Sequence, residues 1–155
     1  MKIIDSALVQ SVSAKAQTNV RLRMNYNLHA ELSDPVQRMV NALEPGTYLR
    51  PHKHSNPPKW ELFFILKGRL AVFQFNDQGE IISKTVLNAA EGTYGVELEA
   101  NVWHTVVSLE PSTIILECKE GPYQPLSEND FASWAPKEDD PAKEKYIESL
   151  LTDLP

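Results

Sequence analysis

The sequence predicts an all-β protein, an antiparallel barrel or sandwich with one helix before it and a proline-rich tail behind it. Short apolar segments recur between turn residues from residue 36 to 118, as many short strands at near-regular spacing require. The stretch from Arg21 to Ala30 alternates polar and apolar residues, the period of a strand with one buried face. No helical pattern of useful length interrupts the short segments, which argues against alternating β and α units.

Taken in order, Ile4, Leu8, Val9, Val12 and Ala16 fall at helical spacing, and Asp5 is placed to cap a helix over 5–17. Strands are then expected at 36–43, 48–50, 60–66, 69–75, 81–87, 93–98, 102–109 and 113–118. The breaks hold Pro45-Gly46, Lys67-Gly68, Asn76-Asp77-Gln78-Gly79 and Glu91-Gly92, all turn chemistry. Beyond them Pro122, Pro125, Pro136, Pro141 and Pro155 mark a wrapping tail with a short helix near Ala142–Leu151. The expected division is 1–30 for a helix and strand packed on the barrel, 31–120 for the barrel and 121–155 for the tail.

With 155 residues there is length for one domain but not for two. The 21 acids against 15 bases give a net charge of −6, which repels nucleic acid and anionic lipid. The longest apolar run, Leu62 to Leu66, is far short of the roughly 20 residues of a membrane span. Asp5, Ser6 and Gln10 interrupt the apolar stretch a secretory signal would need before Ala14-Lys15-Ala16. The single cysteine, Cys118, excludes an internal disulfide. A cytoplasmic protein with no nucleic-acid or membrane partner is expected.

Three of the four histidines carry the chemistry. His52 and His54 are two apart, so on an extended chain both rings face one side, as joint coordination requires. Glu61 heads an apolar strand and His104 lies in another. Three imidazoles and a carboxylate suit a divalent transition metal, iron, manganese, nickel or zinc. His29, on the polar side of its strand, is read as structural. Glu117 and Lys119 share one face of the last strand while Ile114, Leu116 and Cys118 share the other, and with Tyr48 they are candidate proton-transfer groups. Arg50, Lys53 and Lys59 bracket the histidine pair without an intervening acid, which favours an anionic or polyhydroxylated small molecule.

These residues resemble the cupin superfamily. Its first motif is similar to Gly46-Thr-Tyr-Leu-Arg-Pro-His52-Lys-His54, then Glu61 and Gly68. Six residues separate His54 from Glu61 where the family has three or four, which predicts a longer loop over Ser55–Trp60. Its second motif is similar to Glu99-Ala100-Asn101-Val102-Trp103-His104, in which Asn101 replaces a glycine and keeps the left-handed turn. A narrower resemblance is to the WbuC-type cupin-fold metalloproteins found among O-antigen biosynthesis genes. It is carried by Asn27-Leu28-His29, Gln37-Arg38-Met39, Pro45-Gly46-Thr47-Tyr48 with Pro51-His52-Lys53-His54, Lys59-Trp60-Glu61, Trp103-His104-Thr105 and Glu117–Tyr123, with Trp134-Ala135-Pro136. The resemblance implies a jelly-roll barrel holding a divalent metal, and it supplies no reaction.

Two classes of function follow. One is a metal-dependent enzyme for a small anionic or sugar-like molecule, either redox-neutral, such as an isomerase or epimerase, or a dioxygenase. The other is a non-catalytic metal-containing binding or regulatory module. Leu62, Phe64 and Leu66 form a second apolar face on 60–66, which the chain's own ends or a second copy must cover; a homodimer is expected.

Overall fold

The computed structural model describes residues 1–152 and 154. Among these, eight strands form two antiparallel sheets. The strands are β1 (Arg23–Asn27), β2 (Val36–Leu43), β3 (Glu61–Lys67), β4 (Leu70–Phe75), β5 (Ile81–Leu87), β6 (Gly95–Leu98), β7 (Trp103–Ser108) and β8 (Thr113–Glu120). One sheet runs in the order β1-β2-β8-β3-β6 and the other β5-β4-β7. They face each other across Leu43, Phe63, Ile65, Leu70, Val72 and Ile115, the alternate residues of their strands.

Both ends of the chain close the outer faces. Helix α1 (Ser6–Thr18) starts where the Asp5 side chain accepts the Leu8 N–H at 2.9 Å. Its Val12 and Ala16 pack on Val40, Ala42 and Ile114, the residues of β2 and β8 that point away from the core. Helix α2 (Ala142–Leu151) lays Ile147 and Leu150 with Tyr48 on Ala71, Phe73 and Val107 of the smaller sheet. Much of the outer surface that a lone barrel would leave wet is thus buried by apolar side chains of the same chain.

The expected strand at 48–50 is extended backbone without a strand partner. Side chains take its carbonyls instead: Arg23 donates to Tyr48 O at 2.7 Å and the Thr105 hydroxyl to Leu49 O at 2.5 Å. Gly68, at φ +76°, makes the turn from β3 to β4, and a Cβ there would lie 2.5 Å from Thr113 Oγ1 and 2.9 Å from its Cα. Gly68→Ala therefore combines a left-handed backbone penalty with a clash against backbone. A loss of about 2–4 kcal/mol is expected, read as a lowered urea midpoint at unchanged slope.

Candidate metal centre

The four predicted ligands converge. A two-way bridge joins His52 to His104, with N–H to O distances of 3.0 and 2.9 Å, and brings their ring centroids to 4.5 Å. Residues 52 and 54 then face the barrel interior together on extended chain. Glu61, first residue of β3, enters from the opposite sheet, directly across from Lys119 of β8. One donor atom from each of His52, His54, Glu61 and His104 lies within 4.8 Å of all the others.

The donor set fits a cation. Nδ1 of His52 lies 3.1 Å from Arg50 O and Nδ1 of His104 lies 2.9 Å from Val102 O. A carbonyl can only accept, so each Nδ1 carries the proton and each Nε2 presents a lone pair inward, the arrangement typical of metal-bound imidazole. Nε2 of His54 and Nε2 of His104 each approach a Glu61 oxygen to 2.9 Å. These two buried nitrogens have no hydrogen-bond partner among the described residues. Two lone pairs and a carboxylate at that separation call for a positive charge between them.

The protonation balance agrees. Burial pushes the His52 pKa down to about 3, with His104 adding to the effect. For Glu61, burial works towards neutrality, yet His104, His54 and Lys119 overcome it and hold the carboxyl well below its usual range. His104 is likewise pushed down by burial, but Glu61 beside it wins and raises it.

Behind Glu61 stands a second charged layer. Lys119 Nζ lies 3.3 Å from Glu61 Oε1 and 3.2 Å from Glu117 Oε1, and Asn41 donates to Glu117 Oε2 at 2.5 Å. Lys119 is raised because the two carboxylates outweigh its burial. Burial raises Glu117, Glu61 adds to it, and Lys119 and Asn41 oppose. These side chains, the ligands His52, Glu61 and His104, and the apolar Leu49 and Phe63 line a cavity of about 140 Å³.

Of the three candidate proton-transfer residues, Glu117 and Lys119 are therefore beside the ligands and Tyr48 is not. Its ring packs on the outer side of the smaller sheet and its hydroxyl donates to Pro136 O at 2.8 Å. Burial raises its pKa, as expected of a phenol held in a core. His29 is buried rather than solvent-facing, and its Nδ1 accepts the Arg38 N–H at 3.0 Å, outside the site. The basic residues around the histidine pair are also elsewhere engaged. Arg50 donates twice to Ala132 O, Lys53 lies 4.3 Å from the Trp103 ring centroid and Lys59 bonds to Pro122 O. Arg50 and Lys59 brace the tail, Lys53 lies over β7, and the cavity's positive charge is left to Lys119. Asn41 escaped sequence reading because it belongs to β2, outside either motif, and meets Glu117 only through the pairing of β2 with β8.

The tail is stitched to the ligand segment on both sides of His52: Ala132 N–H donates to Pro51 O at 2.8 Å and Lys53 N–H to Asp130 O at 2.9 Å. Asn101 adopts φ +66°, the left-handed turn expected before His104, and its N–H reaches His54 O at 3.3 Å.

Residues 4–87 match DUF6016, a domain of unknown function. The chain belongs to the DUF6016 family. No curated protein matches this DUF6016 chain in sequence. Solved structures do match its fold. KdgF from Halomonas sp. is 16% identical, with a TM-score of 0.51 over 66% of this chain and 82% of that one. A cupin superfamily protein from Desulfitobacterium hafniense, DSY2733, is 15% identical, with a TM-score of 0.50 over 63% and 76%. The conserved SPY1581 protein of unknown function from Streptococcus pyogenes is 12% identical, with a TM-score of 0.53 over 79% and 90%. At these identities the likeness is one of fold, and the fold is the cupin barrel. Among the described residues no helix is long and apolar enough to cross a membrane.

Proposed function

We propose that this DUF6016 protein is a metal-dependent enzyme that carries out redox-neutral proton transfer on a small anionic or sugar-like molecule. The observation that carries the reading is the Glu117–Lys119 pair, buried in the same small cavity as the ligands. His52, His54, Glu61 and His104 hold a divalent ion, iron, manganese, nickel or zinc. Such an ion supplies Lewis acidity, polarising a carbonyl, carboxylate or phosphoryl oxygen. Glu117, with its pKa raised, exchanges a proton at its Oε atoms with the ligand. Lys119 keeps its proton and holds Glu61 and Glu117 apart at fixed positions. Tyr48 drops out of this set. The narrower kinship with WbuC-type metalloproteins is part of the reading, because the segments that carry it, at 52–54, 59–61 and 103–105, build the site.

The test is solvent exchange. In deuterium oxide, metal-loaded protein offered a panel of sugar nucleotides and hydroxy acids is expected to label one carbon-bound hydrogen of its substrate. Labelling is expected to fall about 100-fold or more in Glu117→Gln, the usual worth of a positioned acid or base. Oxygen uptake that depends on substrate and disappears in His54→Ala would establish the dioxygenase reading instead. Ligand binding without turnover would make the protein a metal-containing binding module.

The same reading includes a homodimer. The chain's own ends cover most of the outer faces, but Phe64 and Leu66 of β3 remain 42% and 43% exposed beside Ile4 at 38%. Light scattering at micromolar concentration is expected to give twice the chain mass, and Phe64→Glu to give the single mass.

A further inference from the structure

The metal cavity opens into a groove of about 370 Å³, and Asn41, Leu43, Leu49, Glu117 and Lys119 line both. The far wall of the groove is built by β1 and the residues before it, among them Arg21, Arg23 and Asn25. Arg23 is fixed there, its side chain 17% exposed and its Nη1 donating to Tyr48 O at 2.7 Å. Arg21 is the more open of the two, at 57%.

Both arginines close on one carboxylate from the tail. Arg21 donates from Nε to Glu138 Oε2 at 3.1 Å and from Nη2 to Oε1 at 2.9 Å, while Arg23 Nη2 donates to the same Oε1 at 2.7 Å. A fork from one guanidinium and a third bond from another is the geometry that recognises carboxylate or phosphate. Glu138 is 40% exposed, and an ion pair so open to water holds its partners weakly.

We propose that the Arg21–Arg23 pair is the anion subsite for the cavity's ligand, and that Glu138 occupies it in the free protein until the ligand's anionic group displaces it. This deepens the proposed function and rests on it for the end of the ligand that enters the cavity. The ligand class is a small molecule with oxygen donors at one end and a carboxylate or phosphate at the other. It carries a hydroxyl between them, because Asn41 Oδ1, buried and without a hydrogen-bond partner among the described residues, stands where cavity and groove meet and accepts a donor there.

The subsite is tested without metal. Inorganic phosphate and glutarate are titrated separately by calorimetry into chelator-treated wild type, Arg21→Gln and Glu138→Gln. Arg21→Gln is expected to bind the preferred anion about tenfold more weakly, the value of one charge-assisted bond, and Glu138→Gln about tenfold more tightly, because its competitor is gone. The tighter of the two anions identifies phosphate or carboxylate as the group recognised. In wild type, the Arg21 Nε–H resonance is expected to move on adding that anion, a readout that needs no variant. Glu138→Gln binding no better than wild type, or a stationary Arg21 resonance, overturns the proposal. Metal content of untreated protein is measured separately. Metal-free protein with the opposed response of the two variants sinks the metal reading and keeps the subsite; metal-bearing protein without that response does the reverse.

Discussion

Purified protein is expected to carry about one divalent ion per chain, and the His52→Ala/His104→Ala double variant almost none. The number of donors decides it. Two imidazoles lost from an N₃O set leave His54 and Glu61, and two ligands do not hold a transition ion against dilution or chelator. Neither ring is needed to build the barrel core, whose apolar residues lie deeper between the sheets, so the variant keeps its far-ultraviolet circular dichroism. Elemental analysis showing full metal in the double variant would remove the assignment. The pH dependence carries a definite sign. His104 has a raised pKa because Glu61 faces it, so protons compete with metal for its Nε2 at higher pH than for an ordinary imidazole. His52, pushed down to about 3, offers its lone pair throughout. Metal affinity is therefore expected to fall as pH drops, starting above the ordinary imidazole range, by roughly tenfold per pH unit when one proton is exchanged per ion.

Lys119→Met is expected to lower the stability of the metal-free protein by about 3–5 kcal/mol at pH 7, the cost of leaving a buried charge pair with one partner. Lys119 is the only cation placed between Glu61 and Glu117 by the described contacts, at 3.3 and 3.2 Å. Without it two buried carboxylates face each other, and Glu117, already raised by burial and by Glu61, takes up a proton. The deficit then shrinks as pH falls, because protonation relieves the repulsion that the lysine had balanced. Glu117→Gln added to Lys119→Met should restore part of the loss, and chemical denaturation of the four proteins gives the coupling directly. Additive effects would show that the two side chains do not act as a pair.

Most of the fold was legible because turn residues punctuate the chain sharply. The spans read for β2, β5 and α2 are those observed, and the ligand spacing identified all four members of the convergent cluster. Tyr48 was misplaced for a definite reason. Its segment has no partner strand, so no register fixes which side each residue faces, and hydrogen bonds from Arg23 and Thr105 decide it instead. The basic residues were misread similarly. Arg50, Lys53 and Lys59 are close to the ligands in sequence, but the tail engages Arg50 and Lys59 and the Trp103 ring engages Lys53, whereas Arg23, with Arg21 just before it, reaches the groove through the pairing of β1 with β2. Contacts such as Arg21 with Glu138, 117 positions apart, carry no local pattern.

The bonds from Ala132 to Pro51 and from Lys53 to Asp130 tie the tail to the ligand segment on either side of His52. Local opening of either strand of this junction breaks the other's hydrogen bonds, so the two belong to one cooperative unit. In native-state hydrogen exchange the amides of Lys53, His104 and Ala132 are expected to share one opening free energy. A protease nick near the exposed Tyr123, just past the end of β8, is thereby expected to reach the histidines through the backbone that holds them.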